Sequence, residues 1–180
     1  HKEGDKLFAT TSLSSKIVAA EDSLLSDLEK EARELREKAV ASFYSWEANK
    51  LHLKKGEIDF NVAKDDKDIW RFESPTKEEA DKDKIQAFIR KIESLEASEF
   101  IDPPLSLKDY ELDNPQAEVK IWVKEDDKVK EVAVLVGSED KQAKKVVVKN
   151  ARFDYLFRVD SAFLEEFPKD IKDWKKQQEK

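Results

Sequence analysis

Two stretches of this chain carry the same order of apolar and polar positions. Residues 6–38, KLFATTSLSSKIVAAEDSLLSDLEKEARELREK, lie over residues 145–177, KVVVKNARFDYLFRVDSAFLEEFPKDIKDWKKQ, without a gap. Only Lys6/Lys145, Leu25/Leu164 and Lys30/Lys169 are identical. What coincides is apolar character: Leu7, Phe8, Ile17, Val18, Leu24, Leu25, Leu28 and Leu35 stand over Val146, Val147, Leu156, Phe157, Phe163, Leu164, Phe167 and Trp174. A shared template of this kind predicts one strand, turn, strand and helix used twice. In the first copy the strands are expected near 6–10 and 15–20. A helix should follow from about Asp22, because Leu24, Leu25, Leu28, Ala32 and Leu35 recur every three to four residues. In the second, the helix should end at Pro168, with a short amphipathic tail through Ile171 and Trp174.

Between the copies the period is mostly two. From Trp46 to Phe72 three strands are expected, WEANKLHLK, EIDFNVA after Lys55-Gly56, and DIWRFE, with Ile58, Phe60 and Val62 alternating with polar partners. That alternation predicts a meander with one wet face. Thr76 followed three residues later by Glu79 reads as a capping box at a helix start. Ile85, Phe88, Ile89, Ile92 and Leu95 then form one apolar stripe, suited to lying on a sheet. Asp102-Pro103-Pro104 breaks regular structure, and Leu107 to Pro115 reads as a turn-rich connection. AEVKIWVK and VKEVAVLVG flank Glu125-Asp126-Asp127-Lys128 as a hairpin, and KKVVVK and the alternating Phe153, Tyr155, Phe157 and Val159 follow. The predicted class is α+β: mainly antiparallel sheets in meanders, amphipathic helices packed on one face, and tandem-repeat character.

Composition narrows the possible chemistry. The 180 residues suffice for a real core, with roughly 70% of the unfolded surface removed from water on folding. There is no cysteine, which removes disulfides and thiolate metal sites together. Charged residues make up 42% of the chain, the net charge is −7, and the two signs alternate along it. A nucleic-acid binder would show a positive face to neutralise phosphates, so no nucleic-acid partner is expected. No run is long and apolar enough to cross a bilayer. The start at His1-Lys2-Glu3-Gly4, in a sequence without methionine, reads as an excised or processed fragment, so that a membrane anchor would lie outside it.

Few residues stand out as sites. His52 sits between Leu51 and Leu53, on the polar face of a strand, and is the only histidine besides His1. Catalysis through it would need an orienting partner and a reacting group beside it. Asp65, Asp66 and Asp68, and Glu125, Asp126 and Asp127, are acidic loop clusters where calcium could collect oxygen ligands. Neither has the glycine or the distal glutamate of a calcium loop, so both read as solvated turns. No G-x-S-x-G, H-E-x-x-H or phosphate-cradling glycine loop occurs among three glycines. No catalytic, cofactor-binding or metal-binding residue is therefore assigned. Trp46, Trp70, Trp122 and Trp174 can serve the core or a contact surface. Trp122 alternates against Ile121 and Val123 and so faces away from them, which makes it the candidate contact residue.

A set of spaced features resembles the bacterial domain-of-unknown-function family 4340. They are Trp70 five residues before Pro75, the amphipathic helix leading into Leu95-Glu96-Ala97-Ser98-Glu99-Phe100, and the Tyr110-Glu111-Leu112-Asp113-Asn114-Pro115 turn before Val119 and Ile121. The strand ending at Gly137 and the Leu156-Phe157-Arg158-Val159 strand complete the set, which runs from Ile69 to Trp174. Glu111 stands where the family commonly has glycine. Members often carry the unit in tandem. The resemblance thus implies that residues 1–40 are the end of a preceding unit and residues 41–180 one complete unit. It also implies a place outside the cytoplasmic membrane, held by an amino-terminal anchor, among auxiliary components of ABC-type transporters related to gliding-motility systems. It transfers no catalytic residue and no cofactor. The expected function is a non-catalytic extracytoplasmic binding or scaffold module with membrane transporter or envelope proteins as partners. The alternative is a domain that binds or hydrolyses envelope saccharide or peptide through a carboxylate pair in a cleft between units.

Overall fold

The computed structural model describes residues 2–3, 6–11, 14–21, 36–103, 105–125 and 128–177. The chain divides into two compact units, residues 1–37 and 38–180. In the first, β1 (Lys2–Glu3), β2 (Lys6–Thr11) and β3 (Ser14–Glu21) form an antiparallel sheet in that order. The helix expected from about Asp22 falls on residues 22–35, outside the described residues. Lys38 already belongs to the second unit, because its carbonyl accepts the Ala97 N–H at 2.7 Å. Val40 N–H donates to Leu95 O at 2.9 Å, and its side chain is fully buried.

The second unit is built on one antiparallel sheet of eight strands in the order β6-β5-β4-β8-β9-β10-β11-β7. β4 (Ala48–Lys55), β5 (Ile58–Lys64) and β6 (Trp70–Ser74) make one meander. β8 (Ala117–Glu125), β9 (Lys128–Asp140), β10 (Lys145–Asn150) and β11 (Leu156–Asp160) make a second, and β7 (Glu99–Ile101) closes its far edge. The two meanders join where Leu51 and Leu53 of β4 pair with Ile121 and Val119 of β8. Side chains alternate across a pleated strand, so the buried set Leu51, Leu53, Phe60, Val62, Val119 and Ile121 lies on one face. A single α-helix among the described residues, α1 (Lys82–Glu93), brings Ile85, Phe88, Ile89 and Ile92 into the same core.

The predicted α+β class does not hold: the unit is mainly β, with one α-helix among the described residues. The helix expected after β11 is instead two 3₁₀ turns, Ser161–Glu166 and Ile171–Trp174. Asp160 Oδ1 accepts the Ala162 N–H at 2.9 Å and starts the first turn, but Pro168 ends any helix within a few residues. The apolar spacing survives without the α-helix. Phe163, Phe167 and Trp174 are buried, and Phe88 meets Phe167 and Trp174 edge-on at 5.2 and 5.1 Å between centroids. Trp174 also packs against Phe60 of β5 at 5.3 Å, which ties sheet, helix and tail together.

The expected cap at Thr76 is also displaced. Asp81 is the N-cap of α1, its carboxylate accepting from the N–H groups of Asp83 and Lys84 at 3.1 and 3.2 Å. Residues 78–80 run along the outer edge of β6, where Phe72 N–H donates to Glu78 O and Ala80 N–H to Trp70 O, both at 2.9 Å. An open strand edge needs partners for its peptide groups, and that demand overrides the local Thr76–Glu79 pattern. The tail then covers Glu79 and Asp81 through Lys176 N–H to Glu79 O and Asp81 N–H to Trp174 O.

On the opposite face a smaller cluster of Leu112, Val147 and Leu156 is covered by Ile101, Leu105, Tyr110 and Leu135. Gly137 permits this, since a Cβ there would collide with the Tyr110 carbonyl oxygen and the Leu112 side chain. Glu111, in the same turn, has φ 56° and ψ 28°, the left-handed conformation that favours glycine. Gly137→Ala should therefore lower stability by about 1–3 kcal/mol through overpacking, read as a fall in the urea midpoint. Glu111→Gly should raise it by about 0.5–1 kcal/mol, the relief of left-handed strain less glycine's entropy. A lowered midpoint for Glu111→Gly would show that the Glu111 side chain itself holds the turn.

Candidate functional site

The most exposed large aromatics of the second unit sit just before β4. Tyr44 is 56% exposed and Trp46 65%, and their rings stack at 4.4 Å between centroids with 19° between planes. Ser45 between them points inward, 6% exposed, and its N–H donates to Glu93 Oε1 at 3.1 Å at the end of α1. A 3₁₀ turn over Ser45–Glu47 leads into fully buried Ala48, and Glu47 N–H returns to Tyr44 O at 3.0 Å. The ledge thus rests on a turn pinned at both ends. Beside it lies a hollow of about 260 Å³ lined by Ser42, Phe43, Tyr44, Glu47, Val123, Glu125 and Lys130. Stacked aromatic faces held this way can receive another ring, an apolar side chain or a cation.

The four tryptophans divide clearly. Trp70 is fully buried and Trp174 is 5% exposed, both in the core. Trp122 is half-buried on the outer face of β8, opposite Lys50 and Glu131 in the strand register. Lys50 Nζ lies 5.4 Å from its ring centroid and also pairs with Glu73 at 2.8 Å. The residue singled out from the sequence is thus partly roofed by a lysine, whereas Trp46 carries the larger exposed face. A usable signal for Trp46 was present in Phe43-Tyr44-Ser45-Trp46, where period two turns 43 and 45 inward and leaves two rings in solvent.

His52 lies on the outer face of β4, its Nε2 2.9 Å from Asp59 Oδ1 on β5. Its cross-strand neighbours are Asn61 and Lys120, an amide and an ammonium rather than a hydroxyl to activate. Lys120 is held by Glu118 at 2.8 Å, and that carboxylate raises the lysine's pKa. The acidic loop at 65–68 is used internally. Asp65 Oδ1 accepts the N–H groups of Lys67 and Ile69 at 2.9 and 3.0 Å, and Oδ2 accepts Arg71 Nε at 2.8 Å. Asp68, in a left-handed conformation with φ 61°, pairs with Lys64 at 3.1 Å. Asp126 and Asp127 lie outside the described residues, and Glu125 stands opposite Lys128 at the end of the hairpin. Among the described residues no group of three or more His, Asp or Glu is placed to hold a metal ion.

Two larger hollows have mixed polar and apolar walls. One of about 680 Å³ lies between Lys54, Glu118 and the Leu112 to Gln116 turn, and one of about 660 Å³ lies near Asp68, Glu79, Asp81 and Asp83. Neither offers an exposed aromatic face.

The family model described as a domain of unknown function, DUF4340, matches residues 1–106 and again residues 70–179. The chain belongs to the DUF4340 family. Comparison with curated proteins and with solved structures yields no match. Both DUF4340 matches include residues 70–106, which carry β6, α1 and β7. The core-covering helix that fixes Ser45 through Glu93 therefore lies within the shared stretch.

Arg71, through its hydrogen bond first and the Ile69 and Lys67 N–H groups besides, holds the Asp65 carboxyl below the usual carboxylate range. A carboxyl lowered on folding adds stability above its unfolded pKa and loses it as pH falls through the folded value. Arg71→Ala should move the Asp65 titration upward, toward the ordinary range, in a carbon-detected NMR titration. An unmoved midpoint would assign the depression to the backbone N–H groups alone.

Proposed function

We propose that this chain is a non-catalytic binding or scaffold module that works outside the cytoplasmic membrane. In this reading it belongs to an anchored protein associated with an ABC-type transporter complex. The observation that carries the reading is the Tyr44–Trp46 ledge, with two stacked rings more than half exposed on a turn tied to α1. A large aromatic surface held on a pinned turn suits protein contact, where tryptophan and tyrosine are enriched among the few residues that carry most of the binding energy. The adjoining hollow, about 260 Å³, falls below the usual range for small-molecule sites of about 300–1,000 Å³. At the ledge itself, that favours a contact surface over a ligand cleft. The location and the transporter association rest on what the family resemblance implies.

A photo-crosslinking amino acid in place of Trp46, in the full-length protein in its membranes, tests this directly. Crosslinks to membrane transporter or envelope proteins are expected, and Tyr44→Ala should weaken them about tenfold, as loss of a central aromatic contact does. Recovery of cytoplasmic soluble proteins alone would overturn the proposal.

A further inference from the structure

Two carboxylates in the hollow beside the aromatic ledge, Glu47 and Glu125, have no cationic partner among the described residues. Elsewhere in this unit acids and bases pair off. Lys50 meets Glu73, Lys120 meets Glu118 and Arg71 meets Asp65, each at 2.8 Å. The hollow's one ammonium, Lys130, pairs with neither acid, and its Nζ donates to the Ser42 carbonyl at 3.5 Å. Two carboxylates against one ammonium leave this wall with a charge of −1.

The rings supply what a second cation would need. Tyr44 and Phe43 line the same hollow, and Trp46 stacks on Tyr44. The face of an aromatic ring is negative and attracts a cation. A guanidinium is planar, so it can lie flat on a ring while its edge donates to carboxylates. An ammonium is a compact, strongly hydrated point charge and cannot do both at once. A neutral side chain would fill the space and leave both acids without a partner.

We propose that this hollow receives an arginine side chain of the partner protein, with its guanidinium laid on Tyr44 and hydrogen-bonded to Glu47 and Glu125. The inference rests on the reading of the ledge as a protein-contact surface and adds the chemistry of what it contacts. Lys130, a like charge in the same wall, opposes the guest.

The test titrates the full chain at low ionic strength with the capped tripeptide acetyl-Gly-Arg-Gly-amide, following the Trp46 indole N–H and the Tyr44 ring by NMR. Both signals should shift and saturate, with an affinity roughly fivefold or more above that of the citrulline tripeptide, which has the same length and no charge. Glu47→Gln and Glu125→Gln should each weaken binding by roughly 1.5-fold to fivefold, the range of an exposed ion pair. Lys130→Gln should tighten it by a similar factor, a gain that a damaged fold would not give. Equal affinity for the arginine and citrulline peptides, or for arginine and lysine peptides, would overturn the proposal. So would the absence of a saturable shift in either signal. Crosslinking from Trp46 reads where the partner resides, and this titration reads what it presents. Envelope crosslinks with a failed titration would therefore sink the arginine assignment alone.

Discussion

The second unit depends on covering one apolar sheet face wider than any single helix. Eight strands at about 4.8 Å spacing span about 34 Å. The 12 residues of α1 make a rod about 18 Å long and 10–12 Å across. The remainder is closed by the tail, where Phe163, Phe167 and Trp174 are buried from short 3₁₀ turns. Edge-to-face contacts of about 5 Å join Phe60, Phe88, Phe167 and Trp174, and such pairs contribute about 0.5–1.5 kcal/mol each beyond the area they bury. Tail and helix are thus one cover made of two backbones. The same tail supplies backbone partners to residues 79–81, so its burial also finishes the sheet's β6 edge.

Strand positions and faces were largely legible, because alternation at positions such as Ile58, Phe60 and Val62, or Val119, Ile121 and Val123, records a half-buried strand directly, whereas the β4–β8 junction and the edge strand β7 were not. Tertiary demands were not legible. Thr76 and Glu79 have the spacing of a capping box, yet the chain there satisfies the exposed peptide groups of β6 and leaves capping to Asp81. Phe163, Leu164 and Phe167 have helical spacing, yet Pro168 and the Asp160 cap leave room only for a 3₁₀ turn. Spacing reports which side chains are buried, and several backbones can bury the same set. The predicted α+β class failed for that reason, while antiparallel pairing held.

At the candidate site the division is similar. His52 fell on the polar strand face that alternation assigns it, but its Asp59 partner comes from the neighbouring strand and has no local signature. Asp65 and Asp68 read as a solvated turn, and their oxygens serve that turn's own N–H groups, Arg71 and Lys64. Trp122 and Trp46 differ in what surrounds them, and only Trp46 has a local signal, in the alternation of Phe43-Tyr44-Ser45-Trp46. Lys50 lies over one, and nothing in the sequence near position 122 announces a residue from a different strand.

The same helix that closes the core also sets the aromatic ledge. Glu93, at the end of α1, holds the Ser45 N–H, and Ser45 is the buried residue between two exposed rings. Ala48, fully buried at the start of β4, fixes the other end of the turn. Ordering a mobile aromatic on binding costs roughly 0.5–1.5 kcal/mol per side chain, and stacking Tyr44 on Trp46 before any partner arrives removes much of that cost. Rigidity that originates in the core therefore reaches the surface as a preformed contact face. A change at Glu93 would be felt at Trp46 without touching either ring.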